Sequence, residues 1–387
     1  MSAAWLADAV RVAPHIDRFT HGFHTYPARL HPDTAERLLR DLAPGRAVLD
    51  PFVGSGTVLV EGLVAGLEVF GADLSPLAVR IARLKTWRTD AATRSHLVER
   101  ARAVAERSFA RVRGRVPVRA PLTPEDAAWY APHVLMELGG LLAEIRSEPP
   151  GPTTDAIELA FSSILLKVSR QRADTRRDPV ERRIRKGLST ELFGAKVIEL
   201  AERLERLAAA VPRGTPVSTV LQADARDIAG ARALASRRGR IARVVTSPPY
   251  GGTYDYAHAQ ALRSAWLGLD DRAYRRGEIG ARRHAADEEE PAAHGQALAR
   301  VLAGCASLLR DGGEVVLVLG DARFGPRRIV GALDWVRRIA PEAGLRWVAS
   351  ASQQRPSVGT EPSDFDRLDP PREEHVILLV RDIVSRS

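Results

Sequence analysis

Cysteine is almost absent from this sequence of 387 residues. The single cysteine, Cys305, excludes an intramolecular disulfide and any metal site built from several cysteines. It lies in an apolar helical pattern over residues 297–309, which predicts a buried core thiol rather than a nucleophile. Histidines and acidic residues show no spacing typical of metal ligands either, so we expect no metal.

Long apolar runs are also lacking. No stretch approaches the roughly 20 residues that a membrane-spanning helix needs. Residues 1–5 lack the basic start and the long apolar stretch of a secretory signal. The sequence therefore predicts a soluble, cytoplasmic protein with no membrane partner, and it leaves the oligomeric state open.

Basic residues are in excess. The net charge is +9 and the isoelectric point is about 10.2. A basic surface of this size attracts polyanions through phosphate neutralisation and counterion release, which favours a nucleic-acid partner and a location at the nucleoid. The alternative is a compositional bias towards arginine and alanine, because composition does not place the charge on one face.

The segment 45–84 has the pattern of a parallel α/β sheet, and a helix over 32–42 precedes it. A strand ending in Asp50 is followed by a glycine turn, a helix and a second strand ending in Asp73. Ser75 and Pro76 favour the start of a further helix, as N-cap and first helical residue. Strand-helix-strand-helix order of this kind predicts an α/β fold.

Helical periodicity dominates the middle of the chain, and strand patterns return near its end. We therefore divide the chain into an N-terminal sheet part (1–87), a helical, basic insertion (88–213) and a C-terminal sheet part (214–387). Residues 270–295 have no clean period and indicate a long surface loop. The insertion helices are predicted over 91–116, 124–145, 154–168 and 189–210.

The glycine turn "DPFVGSGT", residues 50–57, has the chemistry of a ligand-binding loop. Glycines between a strand and a helix permit a tight turn and let a ligand approach free backbone amides. The third glycine of the dinucleotide fingerprint and the lysine of the P-loop are both missing. Because a carboxylate such as Asp73 can accept both hydroxyls of a ribose, a nucleoside without a diphosphate fits best. The alternative is a turn without a ligand.

The second feature is "TSPPY", residues 246–250, which follows an apolar strand. Proline has a fixed φ and no N–H, so neighbouring carbonyl groups are held rigidly. Oxygen acceptors there can orient an aromatic amine, and Tyr250 offers a flat face for a base taken out of its helix. The alternative is a proline turn with a core tyrosine.

Together these motifs resemble the amino-group DNA methyltransferases, which transfer a methyl group from S-adenosylmethionine to N4 of cytosine or N6 of adenine. The resemblance covers residues 22–87 and 218–268. It implies a Rossmann-like methyltransferase sheet, mostly parallel with an antiparallel pair of last strands. The matching stretches are "LDPFVGSGT", "SPPY", "HTYPARLHPDTAERLL" and "LQADARDI".

The resemblance also implies the cofactor S-adenosyl-L-methionine, no metal, and two sets of site residues. Asp50 would face the methionine ammonium, and Asp224 would reach the adenine amine. The catalytic set is Ser247, Pro248, Pro249 and Tyr250. The cofactor set is Tyr26, Pro27, Asp50, Pro51, Phe52, Gly54, Gly56, Thr57, Asp73, Leu74, Asp224 and Ala225.

The target follows from the first residue of the catalytic motif. Within the family a serine there, Ser247 here, is commoner in enzymes that modify N4 of cytosine. Many serine-type members place this motif before the glycine loop, whereas here Ser247 follows it. Related RNA-modifying enzymes have the same order as this chain, so adenine N6 and an RNA substrate stay open. The implied reaction is direct in-line transfer, with the amine hydrogens held by Ser247 and the Pro248 carbonyl. A non-catalytic nucleic-acid-binding protein is the alternative of another class.

DNA contacts are expected from a basic stretch and from tyrosines after the catalytic motif, with a restriction or defence partner as a further expectation. Residues 167–187 hold many more arginines and lysines than acids, and arginine pairs well with phosphates and guanine edges. A solvated charged face is the alternative. Leu262, Trp266 and Leu269 are expected to pack a helix on the sheet. The predicted nucleic-acid contacts are Arg170, Arg172, Arg176, Arg177, Tyr254 and Tyr256.

Overall fold

The structure of the protein is a computed structural model. It describes residues 2–11, 17–27, 29–173, 176–284, 287–324, 328–354 and 373–382, with the backbone alone at 176, 177 and 328.

Helices and strands alternate at both ends of the chain and helices fill its middle. The helices are α1 (Ala3–Val10), α2 (Pro32–Leu39), α3 (Thr57–Val64), α4 (Pro76–Lys85), α5 (Ala91–Arg113), α6 (Pro124–Ala127), α7 (Pro132–Arg146), α8 (Pro152–Ile164), α9 (Leu188–Ala210), α10 (Arg232–Ala235), α11 (Tyr256–Leu267), α12 (Arg272–Gly277), α13 (Glu290–Leu308) and α14 (Ala332–Ile339). The strands are β1 (Ala47–Asp50), β2 (Glu68–Asp73), β3 (Gln171–Ala173), β4 (Arg176–Pro179), β5 (Thr219–Gln222), β6 (Ile241–Thr246), β7 (Leu309–Gly320), β8 (Ala322–Phe324), β9 (Arg328–Val330), β10 (Leu345–Gln354) and β11 (Glu373–Arg381).

Seven strands form one sheet, in the order β10-β11-β7-β6-β1-β2-β5. The five strands from β7 to β5 pair in parallel, whereas β11 pairs antiparallel with both β7 and β10. The predicted fold class, an α/β fold with a mostly parallel sheet, an antiparallel last strand and a helical insertion, is therefore confirmed. The predicted antiparallel pairing of the last two strands is confirmed as well.

Local sequence signals explain where several elements begin. The Ser75 hydroxyl accepts a hydrogen bond from the Ala78 amide, and Pro76 is the first residue of α4, as predicted. β6 is buried at every position because helices cover both faces of the parallel sheet. The single helix predicted over 124–145 is wrong, since Pro132 starts a second helix after α6 and a proline cannot donate inside a helix.

Three apolar cores organise the molecule. Two of them lie against the main sheet, and the third is formed by α5, α7, α8 and α9 together with α4 and α11. The expectation that α11 packs on the sheet is wrong. The Trp266 ring instead makes edge contacts with Tyr130 and Phe161, and its indole N–H donates to the Tyr130 hydroxyl at 3.1 Å.

The expectation of a long surface loop over residues 270–295 is wrong for the described part of this range. They contain α12, a short 3-10 helix at Arg282–His284 and the start of α13. The side chains of Tyr274, Ile279 and Ala281 are buried. Among the described residues, every helix is too short or too polar to cross a membrane.

Candidate active site

The carboxyl ends of four neighbouring parallel strands meet at one edge of the sheet. The strands are β6, β1, β2 and β5, and the residues at or just after their ends are Ser247, Asp50, Asp73 and Asp224. From β1 the chain proceeds to β2 and β5 on one side, then returns through β6 and β7 on the other. The edge is thus a topological switch point, where open α/β sheets bind ligands.

The glycine turn connects this edge to α3. Gly54 and Gly56 have φ values of +49° and +88°, in the left-handed region that favours glycine. A Cβ atom at Gly54 would lie 3.3 Å from the ring of Tyr26, whereas one at Gly56 would lie 3.1 Å from the backbone of Ala82 in α4. Gly54 therefore faces the ligand side of the turn, and Gly56 serves the packing of α3 on α4.

Two buried carboxylates sit beside the turn. Asp50 accepts hydrogen bonds from the Thr246 hydroxyl at 2.6 Å and from the Phe52 amide at 3.1 Å. Asp73 accepts from the amides of Gly54 at 2.9 Å and Ser75 at 2.8 Å. Burial raises the pKa of Asp50 to about 7 and that of Asp73 to about 6, since it disfavours the ionised form. A cationic or hydroxyl-bearing ligand would favour ionisation again.

A cavity lies over this edge and opens to solvent. Six predicted site residues with described side chains do not line it: Gly56, Arg170, Arg172, Pro248, Tyr250 and Tyr254. The predicted residues that do line it are Tyr26, Pro27, Asp50, Pro51, Phe52, Gly54, Thr57, Asp73, Leu74, Asp224, Ala225, Ser247, Pro249 and Tyr256.

Ser55 is a polar residue of the cavity wall whose hydroxyl is left without a partner among the described residues. Its oxygen is buried, it belongs to the wall of the cavity, and it has no hydrogen-bond partner within the described ranges. A buried hydroxyl without a partner costs about 1–3 kcal/mol, so a ligand or water that bonds to it would stabilise the site. Together, the Ser55 hydroxyl and the two carboxylates suit a ligand that carries both a cation and hydroxyl groups.

The segment 274–279 forms a wall of the cavity that the sequence analysis did not assign. Tyr274 lines the cavity beside Tyr26, which itself lies next to Gly54 of the glycine turn. The Glu278 carboxylate accepts hydrogen bonds from the amides of Tyr256 at 2.5 Å and Ala257 at 3.3 Å, which cap α11. A tyrosine and an isoleucine within an otherwise charged stretch were the available signal. The further lining residues missed are Arg29, Leu30, Val53, Ser55, Val58, Tyr274, Gly277, Glu278 and Ile279.

Asp224 is held in place by an ion pair with Arg226. The guanidinium of Arg226 donates to both carboxylate oxygens, at 2.5 Å for the shortest pair, and also to the Gly277 carbonyl at 3.1 Å. This ion pair keeps the pKa of Asp224 below its ordinary value despite burial, which by itself would raise it. A charged acceptor thus remains at the end of the cavity near β5, where it is joined to the wall formed by residues 274–279.

The Ser-Pro-Pro-Tyr turn has two different faces. Ser247 is half-buried and lines the main cavity, whereas Pro248 lines a smaller apolar cavity together with Phe52 and Cys305. Tyr250 is only 7% exposed, and its hydroxyl donates to Glu374 of β11 at 2.9 Å. Little of the Tyr250 ring surface is therefore available for stacking in this conformation.

The predicted nucleic-acid contacts fall into two groups. Tyr256 lines the cavity, and the Tyr254 ring lies 5.4 Å from it at a tilt of 53°. Arg170, directly before β3, and Arg172, within β3, are exposed at the β3–β4 hairpin of the insertion, away from the cavity lining. The side chains of Arg176 and Arg177 lie outside the described part of the chain.

Within the described residues, no group of three or more histidine, cysteine or acidic side chains is placed to hold a metal ion. Cys305 is buried in α13, which agrees with the predicted core thiol. Burial raises the pKa of its thiol to about 12, so it stays protonated at neutral pH.

No family model matches this chain. Local sequence similarity links it to two curated proteins. It is 45% identical over 71 residues to the Type II methyltransferase M.MvaI of Kocuria varians, which is 17% of this chain and 16% of that protein. It is 36% identical over 74 residues to the Type II methyltransferase M.MjaII of Methanocaldococcus jannaschii, covering 19% of this chain and 14% of that protein. The chain thus spans less than a fifth of the length of either relative.

Among solved structures, the rRNA methyltransferase AviRa from Streptomyces viridochromogenes aligns with 98% of this chain and 93% of its own. The sequence identity is 15% and the TM-score is 0.35.

Proposed function

We propose that the chain is an S-adenosylmethionine-dependent methyltransferase that modifies an exocyclic amine of a base in nucleic acid, with N4 of cytosine in DNA as the preferred target. The observation that carries the proposal is one cavity that joins Ser247 to the carboxylates at the ends of β1, β2 and β5. The local similarity to two Type II methyltransferases supports the same reaction.

Each polar group of the cofactor would have a partner among the residues of the cavity. S-adenosylmethionine would supply an electrophilic methyl carbon on a sulfonium. Asp50 would accept from its ammonium, Asp73 from its ribose hydroxyls and Asp224 from its adenine amine. Burial of the first two carboxylates strengthens each interaction, because the local dielectric is low. The buried Ser55 hydroxyl would form a hydrogen bond with the same ligand.

Ser247 would act on the substrate base. Its hydroxyl, at the end of β6, would accept a hydrogen bond from the exocyclic amine and turn the nitrogen lone pair towards the cofactor side of the cavity. The two prolines after it restrict the backbone, so this acceptor is held with little freedom. Most of the acceleration would come from positioning two bound reactants.

The insertion would supply contacts to the nucleic acid backbone. Arg170 and Arg172 are exposed on its hairpin, and the ion pair between Arg172 and Asp178 is half-exposed on both sides. An exposed pair of this kind contributes little to stability, so the guanidinium is available to a phosphate. The proposed partner is DNA. The assay below distinguishes DNA from RNA as the substrate, and N4 of cytosine from N6 of adenine as the target.

The test is transfer of a labelled methyl group from S-adenosylmethionine to DNA or RNA. Ser247→Ala should reduce turnover by about 100-fold while leaving cofactor affinity within about 3-fold, because it removes an acceptor from the amine only. Asp73→Asn should instead weaken cofactor binding, measured by calorimetry. If both variants transfer methyl groups at the rate of the unchanged protein, these role assignments are wrong.

A further inference from the structure

A buried histidine lies directly behind the Ser-Pro-Pro-Tyr turn. His294 belongs to the first turns of α13, is 3% exposed, and does not line the main cavity. Its Nε2 atom is 3.2 Å from the carbonyl oxygen of Pro249. Pro249 does line the cavity, so this hydrogen bond joins the protein interior to the cavity wall.

The direction of the hydrogen bond follows from simple chemistry. A carbonyl oxygen can only accept, so the imidazole Nε2 must carry the proton and donate it. Burial lowers the pKa of His294 to about 4, which keeps the ring neutral near pH 7 with a single N–H. The other ring nitrogen, Nδ1, is buried and has no hydrogen-bond partner within the described part of the chain. The one available proton is therefore committed to Pro249.

The imidazole is fixed by close contacts on several sides. The ring of Trp335 lies 4.5 Å away, centroid to centroid, and that of Phe324 lies 5.9 Å away. A Cβ atom at Gly280 would lie 2.6 Å from Cδ2 of His294, and one at Gly251 would lie 3.3 Å from its Nε2. At Gly280 the imidazole edge occupies the space that a side chain would need. At Gly251 the ring of Phe324 does so, because an added Cβ atom would lie 2.7 Å from it.

The Ser-Pro-Pro-Tyr turn has few backbone N–H groups with which to form hydrogen bonds. Residues 248 and 249 are prolines, which have no N–H with which to hold themselves in place. After them, the Gly252 amide donates to the Gly280 carbonyl at 2.9 Å, and the Arg323 amide donates to the Gly251 carbonyl at 2.9 Å. Among the described residues, the Pro249 carbonyl is thus the first backbone group after Ser247 that is hydrogen-bonded to the surrounding structure.

We propose that His294 is a positioning residue, whose hydrogen bond to the Pro249 carbonyl sets the orientation of the turn and thereby of Ser247. This inference rests on the proposed methyl transfer. His294 would not touch substrate or cofactor. It would act on turnover through the geometry of the turn, and cofactor binding, which depends on β1, β2 and β5, would be unaffected.

The test compares two substitutions of His294 with a control. His294→Leu removes the donor at similar volume, and His294→Gln keeps an N–H near the Nε2 position. We expect His294→Leu to lower kcat by about 10-fold to 100-fold with the KM for cofactor unchanged within about 3-fold, as for a small misplacement of reacting groups. His294→Gln should recover most of the loss. His96→Leu, at an exposed histidine of α5, should match the unchanged protein.

Hydrogen exchange gives a second measurement that does not depend on activity. His294→Leu should speed exchange at the amides of Gly252 and Thr253, which are bonded within the turn region, and His294→Gln should not. The inference is overturned if His294→Leu keeps kcat within about 2-fold, if glutamine fails to recover it, or if exchange in the turn is unchanged. Absence of transfer by the unchanged protein would instead count against the proposed function, and exchange alone would then decide the role of His294.

Discussion

At the scale of single residues, two carboxylates define the character of the cavity. Asp50 and Asp73 are buried beside the glycine turn, and each is hydrogen-bonded to groups of the turn or of β6. Because burial raises their pKa values to about 7 and about 6, the ligand-free protein carries the cost of ionising them at neutral pH.

This cost makes stability depend on pH. Each folded-state pKa lies above the ordinary value of 3.8, so the stabilising contribution is fully present below that value and is lost as pH rises through about 6 to 7. We therefore expect the free energy of unfolding of the ligand-free protein to fall over this window. Asp50→Asn should remove a large part of the fall, as measured by urea unfolding at about pH 5 and about pH 8. An identical pH dependence in the variant would contradict the assignment.

Gly56 offers a second test at this scale. Its φ of +88° and the 3.1 Å approach of an added Cβ to the backbone of Ala82 predict that Gly56→Ala is strained. The expected loss is about 1–3 kcal/mol in the free energy of unfolding. Gly194→Ala, in the open surroundings of α9, is the matched control and should gain about 0.5–1 kcal/mol. Equal effects in chemical denaturation would contradict a role for Gly56 in packing α3 on α4.

The sequence allowed the site residues to be identified more accurately than the contacts that they make. Strand ends and the glycine turn led to Asp50 and Asp73, whereas Asp224 and the role of Ser247 followed from the resemblance to amino-group methyltransferases. The sequence did not reveal that Tyr250 bonds to Glu374, more than 100 residues later in the chain. Such an interaction depends on the antiparallel pairing of β11 with β7, which local patterns do not encode.

At the scale of elements, the segment 270–295 shows the limits of periodicity most clearly. The charged residues of this segment gave no sign of the short helix α12. Tyr274 of this helix lies beside Tyr26, and Glu278, which follows the helix, caps α11. Helices of about one to two turns show too few periods to be recognised. The helix α11 was recognised, but its apolar face meets α8 and not the sheet, since tertiary packing decides between two apolar surfaces.

The β3–β4 hairpin leads to a prediction about binding. If its exposed arginines neutralise phosphates, Arg170→Ala with Arg172→Ala should weaken DNA binding. The slope of log affinity against log salt should also become shallower, by about 0.9 for each phosphate that is no longer neutralised. Fluorescence anisotropy at several salt concentrations measures both quantities. Arg310→Ala with Arg338→Ala, at exposed positions of β7 and α14, removes the same charge and is the control. An equal effect of the control would show that the hairpin has no special role.

At the scale of the whole molecule, the insertion and the sheet share a core. The apolar cluster of α5, α7, α8 and α9 includes Leu77 and Ile81 of α4 and Trp266 of α11. The segment 88–213 therefore encloses its apolar side chains only together with elements that lie outside it. The boundary at residue 87 or 88 marks a change of pattern in the sequence and is not a division between separate cores.

An excised fragment tests this arrangement. We expect residues 88–213 alone to retain helix by far-ultraviolet circular dichroism but to lack a cooperative unfolding transition, since the surfaces that face α4 and α11 are exposed. Adding urea to the fragment while recording near-ultraviolet dichroism measures the point. A sharp transition comparable to that of the full chain would mean that the insertion is an independent domain.

The most direct measurement of the central claim is the identity of the methylated nucleoside. The full chain is incubated with isotopically labelled S-adenosylmethionine and either DNA or RNA, the nucleic acid is digested, and the nucleosides are separated by mass spectrometry, with Ser247→Ala in parallel. The proposal predicts labelled N4-methylcytosine in DNA and almost none with the variant. Labelled N6-methyladenine or a labelled RNA nucleoside would correct the target, and no label in any nucleoside despite measured cofactor binding would contradict the central claim.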